Sequence, residues 1–340
     1  MAYTDIDKPS DYFNTKLYTG NGSSGHAITG VGFQPDLVWI KPRDQAYNHR
    51  LFDVVRGAGK KISSDTNSAE ATDTNEQTSF NSDGFTIGSD AGTNANTKTY
   101  ASWNWLGSNT TATNTSGSIN TTICVNQEAG FSITGWTHNG SNSTIGHGLN
   151  AVPKMIITKE RNNVGSWAVY HVGSGNANRL VLQGTNANIS TSIWNSTTPT
   201  SSVFSFNDSI TSTMISYCFA EKQGYSKFES YTGNGNDNGV FIYTGFKPAF
   251  LIIKRTDSTN NWMMIDNKRG PFNFVDEFLV ANDSAAESSN NIALGIDFLS
   301  NGFKIRDSDA AINASGGTYI YMAFAENPFV TSEGVPATAR

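Results

Sequence analysis

Two short stretches place residues that could do chemistry at a fixed spacing: Asp53-Val54-Val55-Arg56-Gly57 and Asp266-Asn267-Lys268-Arg269-Gly270. An Asp and an Arg flanking a turn offer planar, multi-point hydrogen bonding, which suits a polar ligand such as a sugar. The same groups can instead pair with each other or with the turn backbone and fix a strand's exit. A third candidate is Trp194, in Ile193-Trp194-Asn195-Ser196, which has no counterpart elsewhere in the chain and is expected to meet a partner or a glycan. Asp53, Arg56, Asp266, Arg269 and Trp194 are thus the ligand-binding residues expected from sequence.

Other chemistry lacks a motif. Lys41, Lys159 and Lys254 each close an apolar run and are expected to keep their heads in solvent, with Arg43, Arg161 and Arg255 forming a solvated rim nearby. The histidines His26, His49, His138, His147 and His171 show neither H-x-H nor H-x-x-x-H spacing, so no metal site is expected. No G-x-S-x-G elbow occurs, and Cys124 and Cys218 read as small buried hydrophobes without C-x-x-C spacing. The stretch Ser89-Asp90-Ala91-Gly92-Thr93-Asn94 and residues 233–239 resemble calcium loops in composition alone, and hairpin turns are the expectation. No catalytic residue and no cofactor are expected. Paired carboxylates for glycoside hydrolysis leave no sequential signature.

The elements that would position these residues are set by a repeated strand. Gly32-Phe33-Gln34-Pro35-Asp36-Leu37-Val38-Trp39-Ile40-Lys41 returns around Pro153 and again around Pro248, at offsets of 118 and 95 residues. The same offsets carry Asn21-Gly22 onto Asn139-Gly140 and Asn234-Gly235, and Asp53 onto His171 and Asp266. Trp167 and Trp262 align in the same way. Three copies of one strand imply three copies of one unit.

The periodicity is that of strands, with helical turns expected only in segments such as Asp65–Thr72 and Asp283–Asn290. The predicted fold is all-β, three tandem antiparallel β-sandwich, jelly-roll-like units. The division is an N-terminal arm at 1–10, a first unit at 11–107, a Ser/Thr/Asn linker at 108–121, a divergent second unit at 122–222, a third unit at 223–330, and a tail at 331–340. The unshared inserts fall at 63–78, 173–200 and 276–291.

Of 340 residues only 15% are charged, below the roughly one quarter typical of soluble domains, so Ser, Thr, Asn and Gly must build much of the surface. The net charge of -6 and the scattered Lys and Arg argue against nucleic acid. The opening residues lack a basic-then-apolar signal, and no apolar run spans a bilayer, so cytoplasmic synthesis without membrane insertion is expected.

The succession Tyr18-Thr19-Gly20-Asn21-Gly22, Gly32-Phe33-Gln34-Pro35-Asp36-Leu37-Val38-Trp39-Ile40-Lys41, Phe52-Asp53-Val54-Val55-Arg56-Gly57 and Asp83-Gly84-Phe85 resembles a repeat domain of tailed-bacteriophage virion proteins, especially marine, cyanophage-like ones. The resemblance covers 11–107 well, 223–327 fairly, and 122–222 only in two strands. It implies a β-sandwich module of a tail fibre or particle-surface protein, non-enzymatic, located in the virion and made in the host cytoplasm. Its partners would be further copies of itself (a homo-oligomer, a trimer being one form), other virion proteins and host surface glycans. The alternatives are a tail-spike-like polysaccharide hydrolase and a cellular carbohydrate-binding protein.

Overall fold

A computed structural model describes residues 2–288 and 295–338. The chain is all-β. Its first unit pairs strands in the order Phe13–Thr19, Thr99–Trp105, Leu37–Pro42, Arg50–Asp53, faced by a smaller sheet of His26–Thr29, Gly84–Ile87 and Gln77–Asn81. The second unit repeats that order as Phe131–Asn139, Thr211–Ala220, Pro153–Glu160, Ala168–His171, faced by Ser143–Gly146 and Val203–Phe206. The third unit repeats it as Ser226–Thr232, Thr318–Pro328, Phe246–Arg255, Trp262–Asp266, faced by Phe241–Tyr243, Gly302–Ile305 and Ile296–Leu299. The sandwiches are unequal, four to six strands over two or three.

The repeated Pro strand is apolar without alternation because both of its faces are buried. Leu37 and Trp39 point one way, into a core shared by all three units, while Val38 and Ile40 fill the first unit's own sandwich. Met155 and Ile157, or Phe250 and Ile252, do the same against Ile156 and against Leu251 and Ile253. The closing strands follow suit: Trp103 and Trp105, Tyr217 and Phe219, and Met322 and Phe324 all enter the shared core. At its centre the Trp105 ring lies 6.3 Å from Phe219, 6.0 Å from Phe250 and 5.9 Å from Phe324, so one indole touches both other units. Large sheets that each bury two faces cannot stand apart in water, and the three units form one body around this aromatic centre.

Several expectations change. The 108–121 stretch is no free linker: Ala112–Asn114 pairs with Thr121–Asn126, and the two extend the edge of the second unit's large sheet. Polar side chains with little apolar content suit such an exposed edge. Residues 65–72 are not helical and end in a short ribbon, Ala71–Thr72 against Lys60–Lys61. The one α-helical turn described is Ala91–Asn94, capped by the Asp90 carboxylate accepting from Gly92 N. Within 283–290, residues 289 and 290 lie outside the described residues, as do 289–291 of the 276–291 insert and 339–340 of the tail. The N-terminal arm is pinned: Ile6 enters the shared core, Thr4 Oγ1 donates to Gln223 O (2.8 Å), and Tyr3 Oη to Gly245 O (2.7 Å). The tail meets it where Ser332 N donates to Asp7 (2.6 Å). Among the described residues no helix is long and apolar enough to cross a membrane.

Candidate functional site

Asp53 and Arg56 are buried and joined by a 2.5 Å ion pair, and Asp266 and Arg269 by one of 2.6 Å. Each Arg also donates to the backbone of its own strand, Arg56 to Leu51 O and Arg269 to Met264 O. A ligand cannot reach groups with no exposed side chain, which corrects the expectation of a sugar site at Asp53, Arg56, Asp266 and Arg269. What these residues do is join units. Tyr217 of the second unit donates its hydroxyl to Asp53 (2.7 Å), and Trp103 Nε1 of the first donates to Asp266 (3.0 Å). The Arg269 guanidinium lies 5.5 Å from the centre of the Trp103 ring. At the equivalent place in the second unit, His171 Nε2 donates to Tyr321 O of the third (3.1 Å) while its Nδ1 accepts from Gly173 N. Unit one reaches two, two reaches three and three reaches one: the arrangement closes on itself.

A second ring of contacts runs in the opposite sense, each unit reaching back to the one before it. Trp167 Nε1 donates to Ser63 O of the first unit (2.9 Å) and Trp262 Nε1 to Val181 O of the second (3.0 Å). His49, at the position of those tryptophans, donates from Nε2 to Val280 O of the third unit (2.9 Å) and accepts from Trp39 Nε1 at Nδ1. Burial holds His49 well below the usual histidine range and moves His147 and His171 down to about 4. The supposed rim arginines belong here too, since Arg161 pairs with Glu70 of the first unit (2.8 Å) and Arg43 with Glu287 of the third (2.6 Å). Arg255 pairs within its own unit, with Asp257.

The three lysines are not in solvent. Each is buried, with Nζ donating to the carbonyl of the next residue: Lys41 to Pro42 O (2.8 Å), Lys159 to Glu160 O (2.6 Å) and Lys254 to Arg255 O (2.5 Å). Desolvation depresses all three to about 8. Both cysteines are free and buried on opposite faces of one sheet, Cys124 in the shared core and Cys218 inside the second sandwich. Trp194 is buried as well, its Nε1 donating to Asn178 O (3.0 Å) and its ring edge-on to Tyr170 and Phe206. It anchors the 173–200 insert from inside and cannot itself meet a partner or a glycan. Asp73, Glu76 and Asp90 bring three carboxylates within 4.8 Å of one another, and Arg50 and Lys61, both paired with Glu76, supply balancing charge.

The second unit holds an opening that the other two units fill. In the first unit the connection from Gly84–Ile87 to the closing strand runs from 88 to 98 and carries the Ala91–Asn94 turn; in the third it runs from 306 to 317. Ser89-Asp90-Ala91 and Ser308-Asp309-Ala310 begin the same plug, a repeated signal that the sequence reading passed over. Tyr100 Oη donates to Ala91 O and accepts from Ala95 N; Tyr319 does the same with Ala310 and Ala314. In the second unit only 207–210 connects the strands, and Met214 stands at the tyrosine's place with no hydroxyl to anchor a plug. Two adjoining hollows of about 300 and 430 Å³ result, sharing Arg179, Ile193 and Asp208.

Arg179 sits on the Asn178–Arg179 ribbon, at the position of Lys61 in the first unit. Lys61 is paired with Asp73 and Glu76. No Asp or Glu occurs between Glu160 and Asp208, so the second unit cannot repeat that pairing locally. The Arg179 Nε is buried without a hydrogen-bond partner among the described residues. Every other described arginine is in an ion pair.

Fold and site together define an all-β protein of three sandwiches closed on a common core, with one unit left open. The chain belongs to a family described as a domain of unknown function, DUF7483, which matches residues 8–328, all three units at once. No curated protein and no solved structure matches it.

Proposed function

We propose that this chain is a non-enzymatic structural protein of a bacteriophage particle, a tail-fibre or surface protein that serves assembly and host attachment. The observation that supports this most is the fate of the recurrent polar groups. Asp53, Arg56, His171, Asp266 and Arg269 all fasten one unit to the next, and Lys41, Lys159 and Lys254 are buried, as a rigid scaffold needs. A low-charge surface of Ser, Thr, Asn and Gly accords with a component exposed outside a cell, and the sequence resemblance points to virion proteins. The test is mass spectrometry of particles purified from a lysate of the host that carries the gene, with immunogold labelling of the same particles. Peptides at structural abundance and label on the tail or outer surface are expected; a protein left behind in the soluble lysate overturns the reading.

A further inference from the structure

We infer that the open cleft of the second unit binds a neutral pyranose, one residue of a larger glycan, with Arg179 as its central polar contact. The inference deepens the attachment role proposed above and rests on it for the source of the glycan.

The cleft is made by deletion, not by loose packing. A four-residue connection replaces the plug that fills the same place in the other two units, and the surrounding strands keep their register. Its walls are therefore preformed, and its size is that of a small-molecule site. A guanidinium whose Nε is buried and unpartnered needs an acceptor, and among the described residues none supplies one.

The ligand class follows from what surrounds that donor. Asp208 and Glu160 line the same space and would repel a carboxylate or a phosphate, although a hydroxyl can donate to them and accept from Arg179 at once. Asn207, Thr191 and Ser192 add uncharged hydrogen-bonding groups along the outer hollow. Val164 and Ile210, which keep exposed surface, give the inner hollow an apolar patch against which the C–H face of a sugar ring can lie. A group rich in hydroxyls on its rim, apolar on its face and without net charge meets all three conditions.

Saturation-transfer NMR on the full chain, with glucose, galactose, mannose and N-acetylglucosamine as probes, tests this. Transfer to at least one of the four is expected, with binding about tenfold weaker in Arg179→Met, the effect of losing one charged hydrogen bond. Because the Arg179 side chain has no hydrogen-bond or ion-pair partner among the described residues, that variant should melt with the wild type. Ser192→Trp at the exposed rim should block binding while leaving Arg179 in place, and glucuronate and galacturonate should bind more weakly than their parent sugars. No transfer from any of the four sugars, transfer that survives both substitutions, or stronger binding of the uronates overturns the inference. Particle analysis separates the two readings: a virion protein that binds no sugar sinks the cleft assignment alone, and a sugar-binding protein absent from particles sinks the attachment role alone.

Discussion

Replacing Lys159 by Met should change stability in a direction that depends on pH. The side chain is buried, its Nζ donates to Glu160 O, and Glu160 is the one carboxylate that works against its desolvation. Its folded-state value of about 8, against 10.5 in the unfolded chain, means that the unfolded chain holds more protons between those limits. Native stability therefore rises with pH across that window, and below it the protein carries the full penalty of a buried ammonium. At about 1.36 kcal/mol per pH unit of difference, the penalty is roughly 3 kcal/mol at pH 7 and roughly 1 kcal/mol at pH 10. Methionine removes it at every pH but also gives up the bond to Glu160 O, a loss of about 1–3 kcal/mol that does not vary with pH. The wild-type-minus-variant difference should thus shift by roughly 2–3 kcal/mol in favour of wild type between pH 7 and 10, whatever the bond contributes. Urea titrations of both proteins at whole-unit steps of pH measure this, and comparing the pair cancels the cysteines and tyrosines common to both. Curves that stay parallel across the range refute the buried lysine.

The seams give further tests. Asp53→Leu takes from the buried Arg56 the nearer of its two carboxylates, leaving Glu70 at 3.5 Å, and should cost about 3 kcal/mol in urea unfolding, while adding Arg56→Met should restore most of it; a double variant no better than the single one would show that packing, not charge, sets the cost. His171, neutral at the seam between units two and three, has a folded value of about 4 against 6.5 unfolded, so its contribution is complete above pH 6.5 and fades as pH falls through 4. His171→Gln should accordingly be less stable than wild type at pH 7, with a deficit that shrinks by roughly 3 kcal/mol toward pH 4. A deficit independent of pH would mean that the imidazole takes up its proton in the native protein as readily as in the unfolded chain.

The repeats were legible because strand spacing is a local property of the chain. Offsets of 118 and 95 from Pro35 predicted three copies of one strand order, and the sheets show that order. The shared core was not legible, although its trace was present: a run such as Leu37-Val38-Trp39-Ile40 has no polar face, which already requires cover on both sides. Polar residues misled for a related reason. Asp53 and Arg56 carry the same types and spacing whether they face a ligand or a neighbouring unit, and only the packing of units decides which. Lys159 reads as a strand end with its head in water until the neighbouring sheets close over it. The plug was open to discovery, since Ser89-Asp90-Ala91 and Ser308-Asp309-Ala310 are written in the sequence, as is its absence from 207–210.

Closure of three similar units in one chain constrains where binding can arise. A position that serves in all three copies must work against an equivalent neighbour each time: 53 and 266 carry Asp and 171 carries His, and all three reach across a seam. Such positions turn inward, and a change at any of them weakens a contact on which the shared core depends. A partner outside the protein does not repeat three times in the same frame, so a surface for it arises most readily where one copy departs from the others without disturbing a seam. The 207–210 connection satisfies this: it removes a plug from the sandwich side of the second unit, opposite the face that enters the shared core. The acid-free stretch between Glu160 and Asp208 then leaves Arg179 unmatched where the first unit holds Lys61 in ion pairs. Two independent departures from the repeat, one of length and one of charge, converge on a single cleft.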